Sequence, residues 1–308
     1  MLVGRYTLNL INQIKLEESA YELDDDIKKL IDDIATQVSD PDYNRAPAFK
    51  KKKRVKDEDF KVTQRIEKMG IDALFNKIRI NLNKITSSSK KTNESFKDDI
   101  SKYIIEIKND YSDEWFENKI KINKFIIDII CTNNYYSNIL VEVYSMLIDD
   151  FDLLELLSDE IKSRDDFLYN LEWYDSNEEY DKFCENNKKN ELNRGYVLFL
   201  VNVMKKGFVS KDYTIEILNK LLCRLNECIL LDGYKGIVEE ISELSFILIK
   251  NGFDELIHHE QWESLYNYIK NTLEFKVKDF KSLSNKTVFK FMDLNDYIFT
   301  QLRNKIEK

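Results

Sequence analysis

The residue types that most often carry chemistry in proteins are few in this chain, and their spacing does not suit a metal site or an acid–base pair. The two histidines, His258 and His259, are adjacent, so on a helix their side chains point about 100° apart and do not meet at one ion. Cys223 and Cys228 share one helical pattern at a poor ligand spacing, which is typical of buried core cysteines. Walker-type, GxGxxG and GxSxG motifs are absent from the sequence. We therefore predict a protein that is not an enzyme and needs no metal or cofactor.

The strongest local charge feature is a basic cluster before residue 60. Its cations are Arg45, Lys50, Lys51, Lys52, Lys53, Arg54 and Lys56. The formal net charge of the whole chain is −9, so any contact with a nucleic-acid backbone must be local. The cluster fits three roles equally well: an RNA-backbone contact, a nuclear-import-like signal, or a solvated linker.

The elements that position these residues are predicted to be helices. The 308 residues include only 7 glycines and 2 prolines, which are too few for turn-rich β structure. From about residue 60, apolar residues recur at steps of three and four, as at Leu74, Ile78 and Leu82. Short polar turns between such stripes make consecutive helices antiparallel. We predict an all-α, HEAT-type solenoid of about five antiparallel helix pairs; because no strict sequence repeat is visible, a generic helical bundle stays open.

The chain divides into three predicted parts. Residues 1–20 carry a short apolar stripe, residues 21–59 form a linker arm that is first acidic and helix-like and then basic, and residues 60–308 form the helical domain. The polar segment 158–190 interrupts the helices as an extended connection with some helix of its own. The four cysteines form no CxxC pair, and no apolar run approaches the roughly 20 residues of a membrane span. We expect a cytoplasmic protein that does not enter a membrane.

Three blocks of the helical domain resemble one known family. The segment LFNKIRINLNKIT, residues 74–86, resembles the opening helix of the middle domain of eukaryotic translation initiation factor four-G, which typically reads LFxxVRxxLNKLT. The positions that match as written are Leu74, Phe75, Arg79, Leu82, Asn83, Lys84 and Thr86. Residues 195–210 and 284–297 are similar to two later blocks of that family in the same order, although Val201 and Asn202 replace an inner Gly-Glu of the family.

The resemblance implies a scaffold of translation initiation. It would bind a DEAD-box RNA helicase of the initiation factor four-A type and tether it to a cap-binding protein of the four-E type and to mRNA. By the same resemblance, the residues that would contact the helicase are Arg79, Leu82, Asn83, Lys84, Ile85 and, after an inserted SSSKKTN, Phe96. The phenylalanines of the three blocks are expected to pack in the core: Phe75, Phe199, Phe289 and Phe291.

The same resemblance suggests a binding role for the apolar stripe near the N-terminus. Partners of the cap-binding factor usually carry Y-x-x-x-x-L-Φ on a short helix. The stripe here consists of Tyr6, Leu10, Ile11 and Ile14, with Asn12 in place of the usual apolar residue Φ. We interpret it as a variant motif that binds the cap-binding protein; the alternative is a stripe that packs on the helices of this chain itself.

Two other functions stay open from the sequence. One is an adaptor of the same fold that serves mRNA decay, splicing or nuclear cap binding. The other is a direct RNA-binding protein that acts through the basic arm between Arg45 and Lys56.

Overall fold

In a computed structural model of the chain, residues 24–38, 70–86, 90–168 and 170–306 are described, and all regular structure in these ranges is helical. Short 3-10 turns join several of the α-helices. The α-helices are α1 (Asp25–Val38), α2 (Ile71–Lys84), α3 (Lys90–Asp110), α4 (Trp115–Thr132), α5 (Ser137–Phe151), α6 (Leu154–Ser163), α7 (Tyr180–Lys205), α8 (Lys211–Ile229), α9 (Lys235–Leu256), α10 (Trp262–Thr272) and α11 (Asn285–Ile306). The chain divides into two compact units, Met1–Ile66 and Glu67–Lys308.

The described part of the first unit is α1. Its aliphatic residues Ile27, Leu30, Ile31 and Ile34 are exposed and lie on one face, because they stand three and four residues apart. Aspartates occupy much of the remaining surface. The acidic stretch that we assigned to a linker arm is thus a regular amphipathic helix over these residues.

In the second unit, helices that follow one another pack together as α2/α3, α4/α5, α7/α8, α8/α9 and α10/α11, while α6 packs on α4. Within the first pair the helices are antiparallel, since Gly70 at the start of α2 lies beside the Tyr111 hydroxyl that follows α3, while Lys77 stacks 5.3 Å from the Tyr103 ring centre. Successive pairs then stack in two layers. In one layer α2 contacts α4, α4 contacts α7, α7 contacts α9 and α9 contacts α11; in the other, α3 contacts α5 and α8 contacts α10.

Most neighbouring helices of one layer run parallel, and three of their contacts join residues 42 to 50 positions apart. Asn133 bonds to Asn83 across 50 residues, Tyr268 to Asn226 across 42, and Tyr297 to Lys250 across 47. The offset is larger between α4 and α7, because α6 and the connection after it lie between them in the sequence. Each helix of a layer buries its apolar face against the next.

A continuous apolar core runs through both layers. Phe199 and Phe291 are fully buried and Phe75 is half-buried, in agreement with the expectation from their pattern. Burying side chains of this size stabilises the fold by about 2 kcal/mol each. Phe289, in contrast, is 59% exposed, so its assignment to the core was wrong. The reason is helical geometry, because Phe289 stands two residues, or about 200°, from Phe291 and so occupies the opposite face of α11.

The connection between α6 and α7 is held against the body of the unit. Asn186 donates a 2.8 Å hydrogen bond to the Glu172 carbonyl, and the Trp173 indole lies flat against Gly236 at the start of α9. The extended connection that we predicted for residues 158–190 is shorter in the structure, because residues 158–163 and 180–190 belong to helices. None of the helices in the described ranges combines the length and the apolar character that a membrane crossing would need.

Candidate partner-binding surface

The first helices of the first two pairs, α2 and α4, meet through a pair of aromatic rings. Phe75 and Phe125 pack edge to face, with ring centres 5.1 Å apart and planes at 87°. The Arg79 guanidinium lies 5.0 Å from the centre of the Phe125 ring, in a cation–π contact. These contacts fix the side of α2 that is left open to solvent and hold its arginine in place.

The sequence of α2 explains this orientation. Leu74, Ile78 and Leu82 are four residues apart and are all buried, so they form the inner stripe of the helix. Asp72 in the first turn and Lys84 in the last turn complement the helix dipole. Polar residues between the buried positions are thereby presented on the outside.

A groove with a volume of about 420 Å³ lies between α2 and α4. It is lined by Asp72, Phe75, Asn76, Arg79, Lys121, Lys124, Phe125 and Asp128. The Arg164 Nη2 atom lies 2.6 Å from the Asp128 Oδ1 atom, and this ion pair neutralises the charge of Asp128. Burial lowers the pKa of Arg164, but its bonds to Asp128 and Glu160 outweigh this effect and raise the pKa overall, so Arg164 stays charged.

The cations of this surface outnumber its carboxylates, which are Asp72 and the Arg164-bound Asp128. Within the described ranges, Arg79, Lys84, Lys121 and Lys124 form no ion pair. The surface is therefore locally positive in a chain whose net charge is −9. Such a surface, with the Phe75 and Phe125 rings in its lining, is suited to bind an acidic partner.

The helicase-contact residues predicted from the resemblance fall into two groups. Arg79, Asn83 and Lys84 are exposed on one end of α2. Leu82 and Ile85 expose only 1% of their surface and pack in the core, so the expectation that a partner contacts their side chains does not hold. Their spacing places them on the inner stripe of the helix, where they support the surface from beneath.

Phe96, the last of the predicted helicase-contact residues, is half-buried and packs against the core from α3. The stripe Tyr6, Leu10, Ile11 and Ile14 lies outside the described residues. The same holds for the basic cluster of Arg45, Lys50, Lys51, Lys52, Lys53, Arg54 and Lys56. Both assignments stay predictions.

Sequence reasoning did not find the half of the surface that α4 contributes. Lys121, Lys124 and Phe125 stand three and four residues apart, so the sequence shows that they share one side of a helix. It does not show that this side adjoins α2, because only the stacking of the two pairs brings together residues about fifty positions apart.

Among the described residues no group of three or more His, Cys, Asp or Glu side chains is arranged to hold a metal ion. Comparison with protein-family models and with curated protein sequences found no match for this chain. The α2–α4 surface is accordingly interpreted from its own geometry and charge.

Proposed function

We propose that this chain is a non-enzymatic scaffold of translation initiation, a HEAT-type solenoid similar to the middle domain of initiation factor four-G. Two features support the solenoid assignment. Most neighbouring helices of one layer are joined by contacts 42 to 50 residues apart, near the roughly 40–47 residues of HEAT repeats, and the step from α4 to α7 is longer because α6 is inserted there. Three sequence blocks also follow the order of the family.

The observation that carries the functional proposal is the exposed, positively charged end of α2. Arg79, Asn83 and Lys84 belong to the block that resembles the family's first helix. Arg79 lines the same groove as Lys121 and Lys124 of α4, and Asn83 contacts Asn133 at the end of α4. A DEAD-box helicase of the four-A type is the partner that the resemblance implies for this position. The charge of the surface requires that the contacting face of the helicase be acidic.

The mechanism that we propose is a shift of a conformational equilibrium. A helicase with two lobes alternates between an open form and a closed form that clamps RNA. A rigid row of helix pairs that binds the closed form more tightly raises its population, and the size of the effect equals the difference in affinity for the two forms. The N-terminal stripe would bind the cap-binding protein and raise its local concentration near the helicase.

The direct test is the RNA-dependent ATPase of a four-A-type helicase from the same source, measured with and without the full chain. We expect the chain to bind the helicase and to increase ATP turnover, while the chain alone hydrolyses no ATP. Arg79→Glu is the matched negative control. Absence of binding, or ATPase activity of the isolated chain, would contradict the proposal.

The second candidate, direct RNA binding through the basic cluster, predicts a different result. Each lysine or arginine that neutralises a phosphate contributes about one unit to the slope of log affinity against log salt. Replacing Lys50, Lys51, Lys52, Lys53 and Arg54 by glutamine would then flatten this slope for a single-stranded RNA. An unchanged slope would favour the linker or import interpretation of the cluster.

A further inference from the structure

The groove between α2 and α4 has a surplus of positive charge. Arg79, Lys121 and Lys124 line it, and none of these three side chains forms an ion pair within the described ranges. Asp128 is already neutralised by its own ion pair, so Asp72 is the carboxylate of the lining that offsets them. The lining therefore has two more cations than unpaired carboxylates. This surplus matches a phosphate monoester, whose charge is about −1.5 to −2 at pH 7.

Aromatic contacts hold the Arg79 guanidinium in this groove. It lies 5.0 Å from the centre of the Phe125 ring, and Phe75 packs edge to face on that ring with centres 5.1 Å apart. A guanidinium over the face of a ring keeps its N–H donors at its own edge, where two of them can bond to two oxygens of one phosphate. Since the position of the side chain is set before a ligand arrives, less entropy is lost on binding.

An exposed apolar strip continues from the groove along α4. Phe116 is 68% exposed and Ile120 is 41% exposed, and Lys124 of the groove follows four residues after Ile120. Residues four apart are neighbours on one side of a helix, so the two apolar side chains and the lysine form one continuous surface. Glu117 is exposed beside this strip and does not line the groove. An anionic group of a ligand is therefore favoured in the groove, and an apolar group on the strip.

We infer that the α2–α4 groove is a binding site for a phosphorylated side chain of a protein segment. The phosphate accepts hydrogen bonds from Arg79 and forms ion pairs with Lys121 and Lys124, and an apolar residue of the same segment packs on Phe116 and Ile120. This inference goes beyond the proposed function, because it assigns a phosphorylated ligand to the surface whichever protein supplies the segment.

A phosphate monoester fits the groove better than a carboxylate or an RNA backbone. A carboxylate carries one negative charge and leaves part of the surplus uncompensated, whereas a phosphorylated side chain carries nearly two. An RNA backbone spreads one charge per phosphate along a strand, and proteins that follow it use a groove of cations that tracks the strand. The cations here line a single groove of about 420 Å³. The apolar strip beside it suits the side chain that a peptide places next to its phosphorylated residue.

The test is the affinity of the full chain for a fluorescent ten-residue peptide with one phosphoserine flanked by leucines, measured by anisotropy at physiological salt. We expect it to bind about tenfold more tightly than the same peptide with glutamate in place of phosphoserine. Arg79→Lys keeps the charge but loses the paired donors, so it should weaken binding about tenfold. Lys121→Gln combined with Lys124→Gln should weaken it by a similar factor and reduce its dependence on salt.

The controls use exposed positions outside the groove. Lys205→Gln combined with Lys206→Gln, at the end of α7, removes the same charge as the double lysine replacement and should leave the affinity unchanged. Phe116→Ala should weaken binding of the leucine-flanked phosphopeptide and not of an alanine-flanked one, because only the first has an apolar side chain for the strip. The replaced side chains are exposed, so the melting temperatures should stay near that of the wild type.

Three results would overturn the inference. The first is a phosphoserine peptide that binds no more tightly than the glutamate peptide. The second is binding that the Arg79 and lysine replacements leave unchanged, since the peptide would then bind elsewhere on the chain. The third is a larger effect of these replacements on a fluorescent twelve-nucleotide oligouridine than on the phosphopeptide, which would make the groove an RNA site. The helicase takes no part in these measurements, so their failure leaves the proposed function standing.

Discussion

Gly195 of α7 packs against the carbonyl oxygen of Cys131 so closely that a β-carbon on Gly195 would lie 1.7 Å from that oxygen. The same β-carbon would lie 2.6 Å from Asn134 Oδ1. This contact sets the distance between α4 and α7. Gly195 is also the first residue of the segment 195–210, whose sequence resembles a block of the initiation factor family.

Replacing Gly195 by alanine should therefore destabilise the fold. We expect a loss of about 3 kcal/mol in the free energy of unfolding, because the backbone of α4 must move to admit the methyl group. Urea denaturation followed by circular dichroism measures it. Gly252→Ala is the control, since the nearest atom there is a flexible Leu256 methyl at 3.0 Å and the helix gains from alanine. Equal stability of the two variants would show that α4 and α7 separate easily.

Reversing charge on the α2–α4 surface should weaken helicase binding. Arg79→Glu combined with Lys124→Glu should raise the Kd more than tenfold at low salt and less at high salt, because the lost attraction is screened by ions. Both side chains are exposed, so the melting temperature should stay within a few degrees of the wild type. Lys205→Glu combined with Lys206→Glu, at the exposed end of α7, supplies a control of equal charge change. A similar loss of affinity in that control would point to a general charge effect.

The buried ion pair between α7 and α9 should give the fold a measurable pH dependence. Arg194 Nε donates to Glu240 at 2.9 Å; burial raises the pKa of the Glu240 carboxyl, and Arg194 opposes that rise. Arg194→Met should cost about 2 kcal/mol at pH 7, since it leaves a buried carboxylate without its partner.

The loss in Arg194→Met should shrink as the pH falls from 7 to 5. Without Arg194 the folded-state pKa of Glu240 rises further above the unfolded value, so the folded chain takes up a proton that the unfolded chain does not, and acid stabilises it. Urea midpoints at the two pH values test this. A further replacement, Glu240→Leu, should recover part of the stability and remove the pH dependence, and a loss that is independent of pH would contradict the assignment.

Trp173 is expected to report on the connection before α7. Gly236→Ala would place a β-carbon 1.7 Å from the Trp173 indole. The ring must then move away from Gly236 toward solvent, so the tryptophan emission should shift to longer wavelength. The cost should be about 1 kcal/mol, because a side chain moves rather than a backbone. In a Trp173→Ala background the same glycine replacement should cost nothing, and a double-mutant cycle measures the difference. Additive effects would mean that the two residues are not in contact.

The N-terminal stripe gives the last prediction. Changing Tyr6 and Ile11 to alanine should abolish association with a four-E-type cap-binding protein, since aromatic and aliphatic anchors dominate small interfaces. Helicase binding should be unaffected, because the stripe belongs to the Met1–Ile66 unit and the α2–α4 surface to the other. Asn12→Leu should tighten the contact by restoring the usual apolar residue. Pull-down and calorimetry with both partners measure these effects. If the double variant binds the cap-binding protein with wild-type affinity, the motif assignment is wrong.

The sequence by itself determined that the described chain is helical, and much about which side of each helix is buried. Glycine and proline are too scarce for turn-rich structure, and the spacing of Leu74, Ile78 and Leu82 defines an inner stripe that the structure buries. The exposed polar end of α2 follows from the same spacing. Local patterns were sufficient here because the period of a helix is fixed by its own backbone hydrogen bonds.

Only the tertiary structure decided which of these faces meet. Asn83 and Asn133 are 50 residues apart and bond to each other because neighbouring helix pairs stack in register. The meeting of Arg79 with Lys121 and Lys124 in one groove depends on that stacking. The spacing of apolar residues in the sequence predicts that a helix has an apolar side. Many helices have similar apolar sides, so this spacing does not predict which two helices pack together. That choice depends on how well the side chains of the two surfaces interlock.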